Sequence, residues 1–489
     1  MKNAMITKSA HHSPVCPPWY YRLAIALARP IYRLLVWKKS RTRTTYQREA
    51  AERFGRAFLP VPSAVDNLQN THDNQAQFGR FSQGLPAGNG RLIWCHAVSL
   101  GEINTAFPML KILLNQGFRL WITSTTQTGF ARTAALFADE LGKSVNHSFV
   151  PVDSAPVVRR FLRHVQPALA VFIETELWAT TLYELKRAKI PAVMVNARLS
   201  EKSYASYAKF ATVSAGMMAN LTKIIAQDEK SAERFVALGA SDDKVVRAPS
   251  LKWAQAGQWS AAHDALYAKV CAWLGVDGNS KISTNANFSN TANPRRPIWV
   301  MASTHDTEEC LALLAHQKVL SCEPNALLIL VPRHPERFDD VAKLCAELGF
   351  APARRAHDDA IKADTQVYLA DSMGELLVWY RTADVAVVAG SFVDVGGHNP
   401  IEPASFAKPV IMGEFVKNCE LLVQKLAQAG ALMQVKNTPD ELANALLVYL
   451  CDQQKAERAG QAGKTLTERY ANAAWVQASL TLAVLGDEM

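Results

Sequence analysis

The chain has 489 residues, 49% of them hydrophobic and 20% charged, a balance typical of globular protein at a length that exceeds one compact core. The 53 Lys and Arg residues outnumber 44 Asp and Glu, and the net charge of +9 favours partners rich in phosphate, such as lipid headgroups or nucleotides. The eight cysteines include no Cys-x-x-Cys pair, which indicates reduced cytoplasmic cysteines and excludes a disulfide or zinc framework. No nucleic-acid partner is expected, because no basic stripe is interleaved with aromatic residues.

The first predicted element is an amphipathic helix near the N-terminus. Between Tyr20 and Leu35 one helical face is apolar, and Arg22, Arg29 and Arg33 cluster on the opposite face. No stretch reaches the ~20 uninterrupted apolar residues of a spanning helix. A basic run follows at once, consisting of Lys38, Lys39, Arg41 and Arg43. We expect an interfacial helix on an anionic membrane surface, with docking into a groove of the first domain as the alternative.

Two polar segments divide the rest of the chain. Residues Pro60–Asn89 are rich in Asn, Gln, Pro, Ser and Gly, and Asp277–Pro294 carry almost no large apolar side chain. We therefore predict four regions: the interfacial helix and basic segment (residues 1–58), a first Rossmann-like domain (59–276), a polar linker or insertion (277–296) and a second Rossmann-like domain (297–489).

Short apolar runs alternate with segments of helical period in both halves of the chain. The predicted strands are Arg91–His96, Phe118–Thr123, Ala168–Ile173, Pro191–Asn196, Lys223–Gln227, Ile298–Ala302, Leu327–Val331, Val367–Leu369, Val385–Ala389, Pro409–Met412 and Leu432–Val435. Alternating strands and helices indicate parallel sheets covered on both faces. We expect an α/β fold of two Rossmann-like domains whose sheets face across a cleft, with ligands at the carboxyl ends of the strands.

Carboxylates follow two predicted strands of the first half. Glu102 lies where the first strand turns into a helix, beside Ser99, and a carboxylate there is expected to be stabilised in its ionised form, ready to accept a proton. A helix-start charge without chemistry is the alternative. Glu174 and Glu176 end a very apolar strand. Alternation along a strand implies that one of them points to the site, with Glu174 favoured and Glu176 free to cap the next helix.

Cationic side chains follow later strands of the first half. Arg198 and Lys252 each end a strand in a polar cluster, where either side chain can neutralise an anionic donor. A solvated lysine at a strand end is the equally favoured alternative for Lys252.

The second half carries three turns suited to a nucleotide. Pro332 and Arg333 follow one strand, and arginine offers phosphate a planar fork. Met373, Gly374 and Glu375 open a helix. Ser391 and Gly397 precede Asn399, Pro400, Ile401 and Glu402, where glycines permit close backbone approach, free N–H groups near Pro400 add anion affinity, and Glu402 suits the two hydroxyls of a ribose. Together, these turns indicate a nucleotide site.

The sequence resembles 3-deoxy-D-manno-octulosonic acid (Kdo) transferases. Nearly the whole chain carries matching segments in family order: His96–Glu102 (HAVSLGE), Pro151–Leu162 (PVDSAPVVRRFL), Glu174–Trp178 (ETELW), Val195–Tyr204 (VNARLSEKSY), Ala302–Glu309 (ASTHDTEE), Leu330–Phe338 (LVPRHPERF), Asp371–Leu376 (DSMGEL) and Gly396–Pro403 (GGHNPIEP). The start of the chain, with Glu52, Arg53, Phe54 and Gly55, is also similar. Four positions depart from the family pattern: Ala179 replaces proline, Ala389 replaces glycine, and Pro249-Ser250 replaces Gly-Asn before Leu251-Lys252.

The resemblance implies an inverting, metal-independent glycosyltransferase of the GT-B fold. Such an enzyme transfers Kdo from CMP-Kdo, its donor substrate, to a lipid A precursor (lipid IVA) in lipopolysaccharide core biosynthesis, and needs no cofactor. It is peripheral or monotopic at the cytoplasmic face of the cell inner membrane. The first Rossmann-like domain would bind the acceptor and the second would bind the CMP-sugar.

The resemblance also assigns roles residue by residue. Glu102 would be the general base, with Glu174 and Lys252 supporting the transition state. CMP would be held by Pro332, Arg333, Met373, Gly374, Glu375, Asn399, Pro400, Ile401 and Glu402, with Ser99, Glu176, Arg198, Ser391 and Gly397 as possible additional site residues. No metal ligand is expected. The rival readings are a GT-B enzyme with a UDP-sugar donor, a nucleotide-sugar epimerase, and a non-enzymatic scaffold that binds lipid headgroups or nucleic acid.

Overall fold

The computed structural model describes residues 13–63, 85–255, 259–276 and 296–486. The chain folds into two compact units, one spanning Met1–Ala254 with Asn472–Met489 and the other spanning Gln255–Ala471. Each unit holds a seven-stranded sheet, and every strand pair in it is parallel. The predicted α/β class with two Rossmann-like domains is confirmed.

The sheet of the first unit has the strand order β3-β2-β1-β4-β5-β6-β7. Its strands are β1 (Leu92–His96), β2 (Arg119–Ser124), β3 (Val145–Phe149), β4 (Leu169–Ile173), β5 (Ala192–Ala197), β6 (Lys223–Ala226) and β7 (Val245–Arg247). Its helices begin with α1 (Trp19–Ser40), α2 (Tyr46–Arg53), α3 (Leu100–Asn115), α4 (Gln127–Leu136), α5 (Ala155–Val165), α6 (Ala179–Arg187), α7 (Glu201–Ala208), α8 (Ala211–Asn220) and α9 (Glu229–Ala237). β1, β4, β5, β6 and β7 lie side by side, which brings the loops after them to one edge.

Alternation along the strands builds two hydrophobic layers, one on each face of this sheet. In β1, Ile93 and Cys95 join the layer that contains α3, whereas Leu92 and Trp94 join the layer that contains α5 and α6. Both layers are closed to water, since these strand side chains are at most 3% exposed. A sheet buried on both faces is what near-continuous apolar strands predict.

The bounds of two strands of the first unit were not predicted from sequence. The strand that was expected to end at Lys252 ends at Arg247, and Lys252 lies on the turn that follows. β3 reads Val-Asn-His-Ser-Phe, and its three central side chains are polar although buried. β7 has only three residues, which the structure leaves partly or fully exposed. Neither stretch carries the apolar run that identifies a strand, so only pairing with β2 and β6 defines them.

The N-terminal helix α1 contacts the first unit through one face. The Tyr21 hydroxyl donates to Asp153 at 2.7 Å, the Tyr32 ring lies 6.2 Å from that of Phe54, and Val36 is buried. The apolar stripe predicted for the membrane lies on another face and is exposed, with Leu34 at 69%. The docking alternative is therefore wrong for that stripe, because other side chains dock the helix. Within the described parts of the chain, every helix is too short or too polar to cross a membrane.

The sheet of the second unit has the strand order β10-β11-β9-β8-β12-β13-β14. Its strands are β8 (Ile298–Thr304), β9 (Leu327–Pro332), β10 (Ala353–Arg354), β11 (Val367–Leu369), β12 (Val385–Val388), β13 (Val410–Met412) and β14 (Leu432–Gln434). Its helices are α10 (Ala261–Leu274), α11 (Glu308–Cys322), α12 (Phe338–Glu347), α13 (Leu376–Thr382), α14 (Ile401–Ser405), α15 (Glu420–Gln428), α16 (Pro439–Leu450) and α17 (Gln453–Tyr470). The two-residue strand β10 was not predicted.

The units do not divide where the sequence predicted. The first unit ends at Ala254, so α10 belongs to the second unit and not to residues 59–276. The last helix, α18 (Ala473–Ala483), returns to the first unit, where Ala474, Ala478 and Leu482 pack under its sheet. Sequence pattern gives no sign of that return, because an amphipathic helix can cover either sheet. Of the two polar segments, residues 64–84 and 277–295 lie outside the described residues.

Candidate active site

Glu102 lies in the first turn of α3, at the carboxyl end of β1. Ser99 is the N-cap of that helix, and its hydroxyl accepts the Glu102 N–H at 3.4 Å. The Glu102 carboxylate reaches back to accept the Val98 N–H at 2.7 Å and the Ser99 hydroxyl at 3.3 Å. This arrangement resembles a capping box, except that Glu102 accepts the N–H of Val98 and not that of the N-cap Ser99, and it fixes the carboxylate and gives Ser99 a role in the fold.

Burial raises the pKa of Glu102 to about 7, against the lowering effect of the Val98 N–H, and the charges of Glu174 and Glu176 raise it further. The expectation of a carboxylate stabilised in its ionised form is therefore wrong. The helix N-terminus favours the charge, but desolvation and two like charges outweigh it. A carboxyl group with a pKa near neutrality is suited to take up and release a proton at physiological pH.

Both carboxylates after β4 act on Glu102, although strand alternation predicted that only one would face the site. The chain leaves the extended conformation at Glu174, whose φ is +61°, so alternation no longer applies there. A left-handed non-glycine residue costs about 1–3 kcal/mol and is found preferentially at functional sites. Glu176 does not cap α6, whose N-cap is Trp178, and instead has Oε2 3.7 Å from Nε2 of His96.

His96 is fully buried beneath this carboxylate pair. The Trp94 indole N–H donates to the Thr123 hydroxyl at 2.9 Å, and that hydroxyl lies 2.8 Å from His96 Nδ1. Trp94 is only a donor, so the Thr123 oxygen accepts from it, and the same hydroxyl holds the His96 ring in place through Nδ1. Nε2 has no hydrogen-bond partner among the described residues and points toward Glu176.

The segment that carries Lys252 is fixed by a buried polar network. Asn196, at φ +53°, accepts from the Ser250 hydroxyl and from the Leu251 N–H, both at 3.0 Å. Gln477 of α18 accepts the Asn196 N–H at 2.7 Å and donates to the carbonyl of residue 249 at 2.7 Å. The change to Pro-Ser at 249–250 is thus accommodated. Lys252 stands half-buried on the five-residue 3₁₀ turn that follows.

Arg198 occupies the loop between these two clusters. Its side chain is half-buried, and its carbonyl oxygen accepts the hydroxyl of Thr175 from the loop after β4. The loops after β4 and β5 are thereby tied together at the edge where the structure gathers Glu102, Glu174 and Glu176.

In the second unit, four adjacent strands, β11, β9, β8 and β12, end at one edge. Arg333 follows β9, where its N–H donates to Thr304 of β8 at 3.0 Å and its side chain is exposed. Pro332, the last residue of β9, is buried. The Arg333 charge lowers the pKa of Glu402, which burial raises to about 7. Arg333 and Glu402 therefore lie near each other, as a phosphate and ribose site requires.

The loop after β12 is shaped by side-chain caps. The Asn399 amide oxygen accepts the Ile401 N–H at 3.1 Å, and its nitrogen donates to Glu402 at 3.5 Å. Pro400 and Ile401 are buried. The helix predicted to offer free N–H groups is only the five-residue α14, and Asn399 already occupies its first N–H. Its contribution to anion binding is smaller than predicted.

Glu375 is held by an arginine that sequence did not indicate. Arg355 donates to both of its carboxylate oxygens, at 3.0 and 2.8 Å. Gly374, at φ +86°, presents a carbonyl that accepts from His263 at 2.8 Å. Met373, which precedes Gly374 and Glu375, is 56% exposed. This paired carboxylate fixes the loop, and the exposed Met373 is the side chain that stays open to a ligand.

Two of the additional residues have roles inside the fold. Ser391 is fully buried, and its hydroxyl donates to Val388 at 2.6 Å and accepts the Gly413 N–H at 2.8 Å. Gly397 adopts φ +78°, and a Cβ there would lie 3.1 Å from Cys419 Sγ. Both residues thus have structural roles at this edge, and their predicted roles in ligand binding stay predictions.

Sequence reasoning missed a histidine and glutamate cluster at this edge. His305 and His398 contact each other through Nε2 atoms 2.9 Å apart, and Glu308 lies buried beneath them. Glu309, also buried, accepts from Thr304 and Arg337 at 2.8 Å. His305, Glu308 and Glu309 lie in Ala302–Glu309, and His398 lies in Gly396–Pro403, two of the segments that resemble Kdo transferases. That resemblance was the feature of the sequence that could have indicated the cluster.

Comparison with known proteins decides the family. The model for "3-Deoxy-D-manno-octulosonic-acid transferase (kdotransferase)" matches residues 72–255, and that for "Glycosyl transferases group 1" matches residues 353–466. The 3-deoxy-D-manno-octulosonic acid transferase of Haemophilus influenzae is 33% identical over 456 residues, 91% of this chain and 93% of that one. The chain belongs to the Kdo transferase family. It is a glycosyltransferase.

Further relatives agree with this assignment. The 3-deoxy-D-manno-octulosonic acid transferase of Bordetella pertussis is 30% identical over 409 residues, 81% of this chain and 88% of that one. A crystallised glycosyltransferase from Rickettsia africae is 13% identical, and the match covers 82% of this chain and all of that one with a TM-score of 0.53. The last likeness concerns the fold alone. The fold of this Kdo transferase family member is GT-B.

Proposed function

We propose that the chain transfers Kdo from CMP-Kdo to a lipid A precursor at the cytoplasmic face of the inner membrane, in lipopolysaccharide core biosynthesis. The reaction inverts the donor configuration and uses neither a metal ion nor a cofactor. One observation carries this proposal: the chain is 33% identical to a 3-deoxy-D-manno-octulosonic acid transferase over 91% of its length. The position of Glu102 supports it, because this carboxyl group is held at the carboxyl end of β1 and burial raises its pKa to about 7. That is the property of a general base which takes the proton of an acceptor hydroxyl.

The first unit supplies the proton chemistry in this proposal. Glu102 accepts the hydroxyl proton as the acceptor oxygen attacks, and the Val98 N–H keeps its carboxylate aligned. Glu174 and Lys252 stabilise the charge that develops in the transition state. A structural cap at the start of α3 would explain the position of Glu102, but the proposal also accounts for a pKa that burial, together with the charges of Glu174 and Glu176, raises.

The second unit binds the nucleotide in this proposal. Arg333, exposed at the end of β9, receives the phosphate, and Glu402 accepts from the ribose hydroxyls. CMP leaves with a single phosphate, so charge stabilisation by a guanidinium suits its departure. A UDP-sugar donor, the rival reading, would present two phosphates to the same edge.

The membrane contact is proposed for the exposed apolar stripe of α1. Trp19, Leu27, Ile31 and Leu34 are all more than 60% exposed, which is unusual for large apolar side chains placed together. Arg22, Arg29 and Arg33 are exposed on the same helix and suit anionic headgroups. The helix would lie in the interface while its Tyr21 face stays on the first unit.

The decisive experiment is product analysis. Purified protein is incubated with CMP-Kdo and a tetraacylated lipid A precursor, and the product is weighed by mass spectrometry. A product heavier by Kdo supports the proposal, and activity in excess chelator supports metal independence. Transfer from UDP-sugars with none from CMP-Kdo would replace this proposal by the rival reading.

The membrane contact has its own test. The triple variant Leu27→Ser, Ile31→Ser, Leu34→Ser should lose sedimentation with anionic vesicles and keep its melting temperature, because these side chains are exposed in the fold. Deletion of the helix is a poorer test, since Tyr21, Tyr32 and Val36 contact the first unit. Unchanged sedimentation of the triple variant would put the anchor elsewhere.

A further inference from the structure

The loop of residues 174–178, between β4 and α6, carries the two carboxylates that act on the proposed base. Its start is tied to the loop after β5, because the Thr175 hydroxyl donates to the carbonyl of Arg198. Its last residue, Trp178, is the N-cap of α6, but the indole side chain makes no cap hydrogen bond. The first N–H groups of α6 therefore need an acceptor from another part of the chain.

Asp153, from the loop between β3 and α5, supplies that acceptor. Its Oδ1 accepts the Thr181 N–H and the Thr181 hydroxyl, both at 2.7 Å, and its Oδ2 accepts the Thr180 N–H at 3.1 Å. Thr180 and Thr181 are the second and third residues of α6, whose N–H groups an N-cap side chain ordinarily binds. A residue from another loop thus performs the function that the Trp178 side chain does not.

Helix α1 contributes a fourth hydrogen bond to Asp153. The Tyr21 hydroxyl donates at 2.7 Å to Oδ2, the oxygen that also accepts the Thr180 N–H. Burial raises the pKa of Tyr21, and the charge of Asp153 adds to this effect, so the hydroxyl keeps its proton and stays a donor through the neutral range. Asp153 therefore joins α1 to the start of α6.

The place where α6 begins decides where Glu176 stands. Glu176 has Oε2 3.7 Å from Nε2 of the buried His96, and the Trp178 ring lies 4.7 Å from the His96 ring. Two residues of chain span at most about 7 Å, so a displacement of Trp178 is passed on to Glu176. By holding the first turn of α6, Asp153 keeps both side chains beside His96.

We propose that Asp153 is a positioning residue of the transfer reaction, which together with Tyr21 holds the loop of residues 174–178 so that its carboxylates stand beside Glu102. This inference rests on the proposed function, in which Glu102 is the general base. Asp153 acts through α6 and the loop, without contact to a reacting atom. Because Tyr21 belongs to α1, the helix proposed to lie on the membrane also supports the arrangement of the carboxylates.

A cap that serves stability alone predicts a different outcome from a cap that positions the loop. Loss of a stabilising cap reduces the folded fraction, which lowers the measured turnover by the same factor at every pH. Loss of a positioning cap also changes the proton affinity of Glu102, since the charges of Glu174 and Glu176 contribute to its raised pKa. The midpoint of the profile of turnover against pH does not depend on the folded fraction, so it separates the two cases.

The test compares Tyr21→Phe and Asp153→Asn with wild type. Phenylalanine removes one hydroxyl, whereas asparagine keeps an oxygen for Thr181 but places N–H₂ where the Thr180 N–H needs an acceptor. Turnover at saturating substrates should fall about 3- to 10-fold in Tyr21→Phe and about 10- to 100-fold in Asp153→Asn. The KM for CMP-Kdo should change less than about twofold. The midpoint should move down by about 0.3 to 1 unit in both variants, because carboxylates that withdraw from Glu102 raise its pKa less.

Two matched variants control for the loss of a tyrosine hydroxyl and the loss of a helix cap. Tyr20→Phe changes the neighbouring residue of α1, whose side chain is 43% exposed. Asp452→Asn changes the N-cap of α17 in the second unit, whose carboxylate accepts the Lys455 N–H at 3.0 Å. Both controls should keep the wild-type midpoint and the wild-type KM.

The outcomes separate this inference from the proposed function. A midpoint that stays in place or moves upward in Tyr21→Phe and Asp153→Asn overturns the positioning role, whatever their turnover, while transfer by wild type stands. An equal shift in either control also overturns it. Absence of transfer from CMP-Kdo by wild type overturns the proposed function itself. Thermal unfolding identifies a variant that fails to fold, and Tyr21→Phe, which loses a single hydroxyl, decides if Asp153→Asn does so.

Discussion

Carboxylates crowd the carboxyl edges of both sheets, but the two units hold them differently. In the second unit, Glu375 is paired with Arg355, Asp371 with Arg354, and Glu308 accepts three backbone N–H groups. In the first unit, Glu102 accepts from one backbone N–H and one hydroxyl and faces the like charges of Glu174 and Glu176.

The difference separates scaffolding from proton chemistry. A carboxylate with a cation or several N–H partners is held in position and shapes a loop, even where burial raises its pKa, as it does for Glu308. A carboxylate beside two others, partly buried, has its pKa moved toward neutrality and can exchange a proton. Acidic side chains at the carboxyl edge of a parallel sheet can therefore either hold a loop in place or exchange a proton. The groups around each carboxylate decide which of these two roles it has.

The largest test of this difference is Glu102→Gln. Glutamine keeps an oxygen that can accept the Val98 N–H but cannot act as a base, so turnover at saturating donor should fall about 10²- to 10⁴-fold. Single-turnover rates measure this loss, and CMP binding by calorimetry should be unchanged. Near-normal turnover in the folded variant would remove Glu102 as the base and make Glu174 the next candidate.

Stability against pH provides the control for that variant. The folded pKa of Glu102 is raised from 4.5 to about 7, so its favourable contribution is present below pH 4.5 and is lost as pH rises through 7. At pH 8 the charged group costs up to about 3 kcal/mol, and Glu102→Gln removes that cost. The variant should therefore melt higher than wild type at pH 8, and the gap should narrow toward pH 5. A lower melting temperature at pH 8 would indicate that Glu102 only caps the helix.

The second test, Arg333→Ala, asks whether the second unit binds the phosphate of CMP through the Arg333 guanidinium. If the guanidinium binds the CMP phosphate, its loss should weaken CMP binding about 10- to 150-fold, the worth of a charge-assisted pair. Isothermal calorimetry measures the change in CMP affinity. Arg296→Ala is not a suitable control, because the Arg296 side chain donates to three backbone carbonyls of the second unit. Lys343→Ala, an exposed cation on α12, is the matched control and should leave the affinity unchanged. Equal losses in both variants would indicate a general effect of charge.

The sequence was sufficient to predict the strands and the loops that carry site residues. It was not sufficient to predict which residues of different loops contact one another. Glu102, Glu174 and Arg333 were predicted as site residues because each follows a parallel strand, and the structure places each at its sheet edge. The predicted strand ends lie within two residues of the observed ones. These features follow from local pattern, which the chain carries in every short window.

The rest depends on contacts between distant segments. The pair of His305 and His398 joins residues 93 positions apart, and Gln477 reaches Asn196 across 281 positions. Local pattern holds no information on such pairs. The predicted direction of the Glu102 pKa was wrong for the same reason. The helix N-terminus is visible in sequence, whereas the burial that raises this pKa, and the approach of Glu174 and Glu176 that adds to it, are not.

A third test asks whether Glu308 stabilises the second unit by accepting three backbone N–H groups. Glu308→Gln leaves one oxygen for three N–H groups and turns its own N–H₂ toward donors, so the second unit should lose about 1 to 3 kcal/mol of stability. Thermal unfolding measures the change. Glu336→Gln, whose side chain is 74% exposed, is the matched control and should leave the melting temperature unaltered. Equal melting temperatures for Glu308→Gln and wild type would mean that the three N–H groups do not depend on the carboxylate.

The smallest expected effect concerns Glu176, which acts on Glu102 only through its charge. Turnover should rise with pH through about 7, as Glu102 loses its proton and becomes a base. Glu176→Gln removes one of the two like charges that raise this pKa, so the midpoint of the pH profile should move down by about 0.5 to 1 unit. The midpoint is the right readout, because a loss of maximal rate has many causes whereas a shift of the titration has few. Glu201→Gln, an exposed carboxylate that starts α7, should leave the midpoint in place. If Glu176→Gln leaves it in place too, or moves it upward, then the carboxylates after β4 do not set the proton affinity of Glu102, and burial alone must account for it.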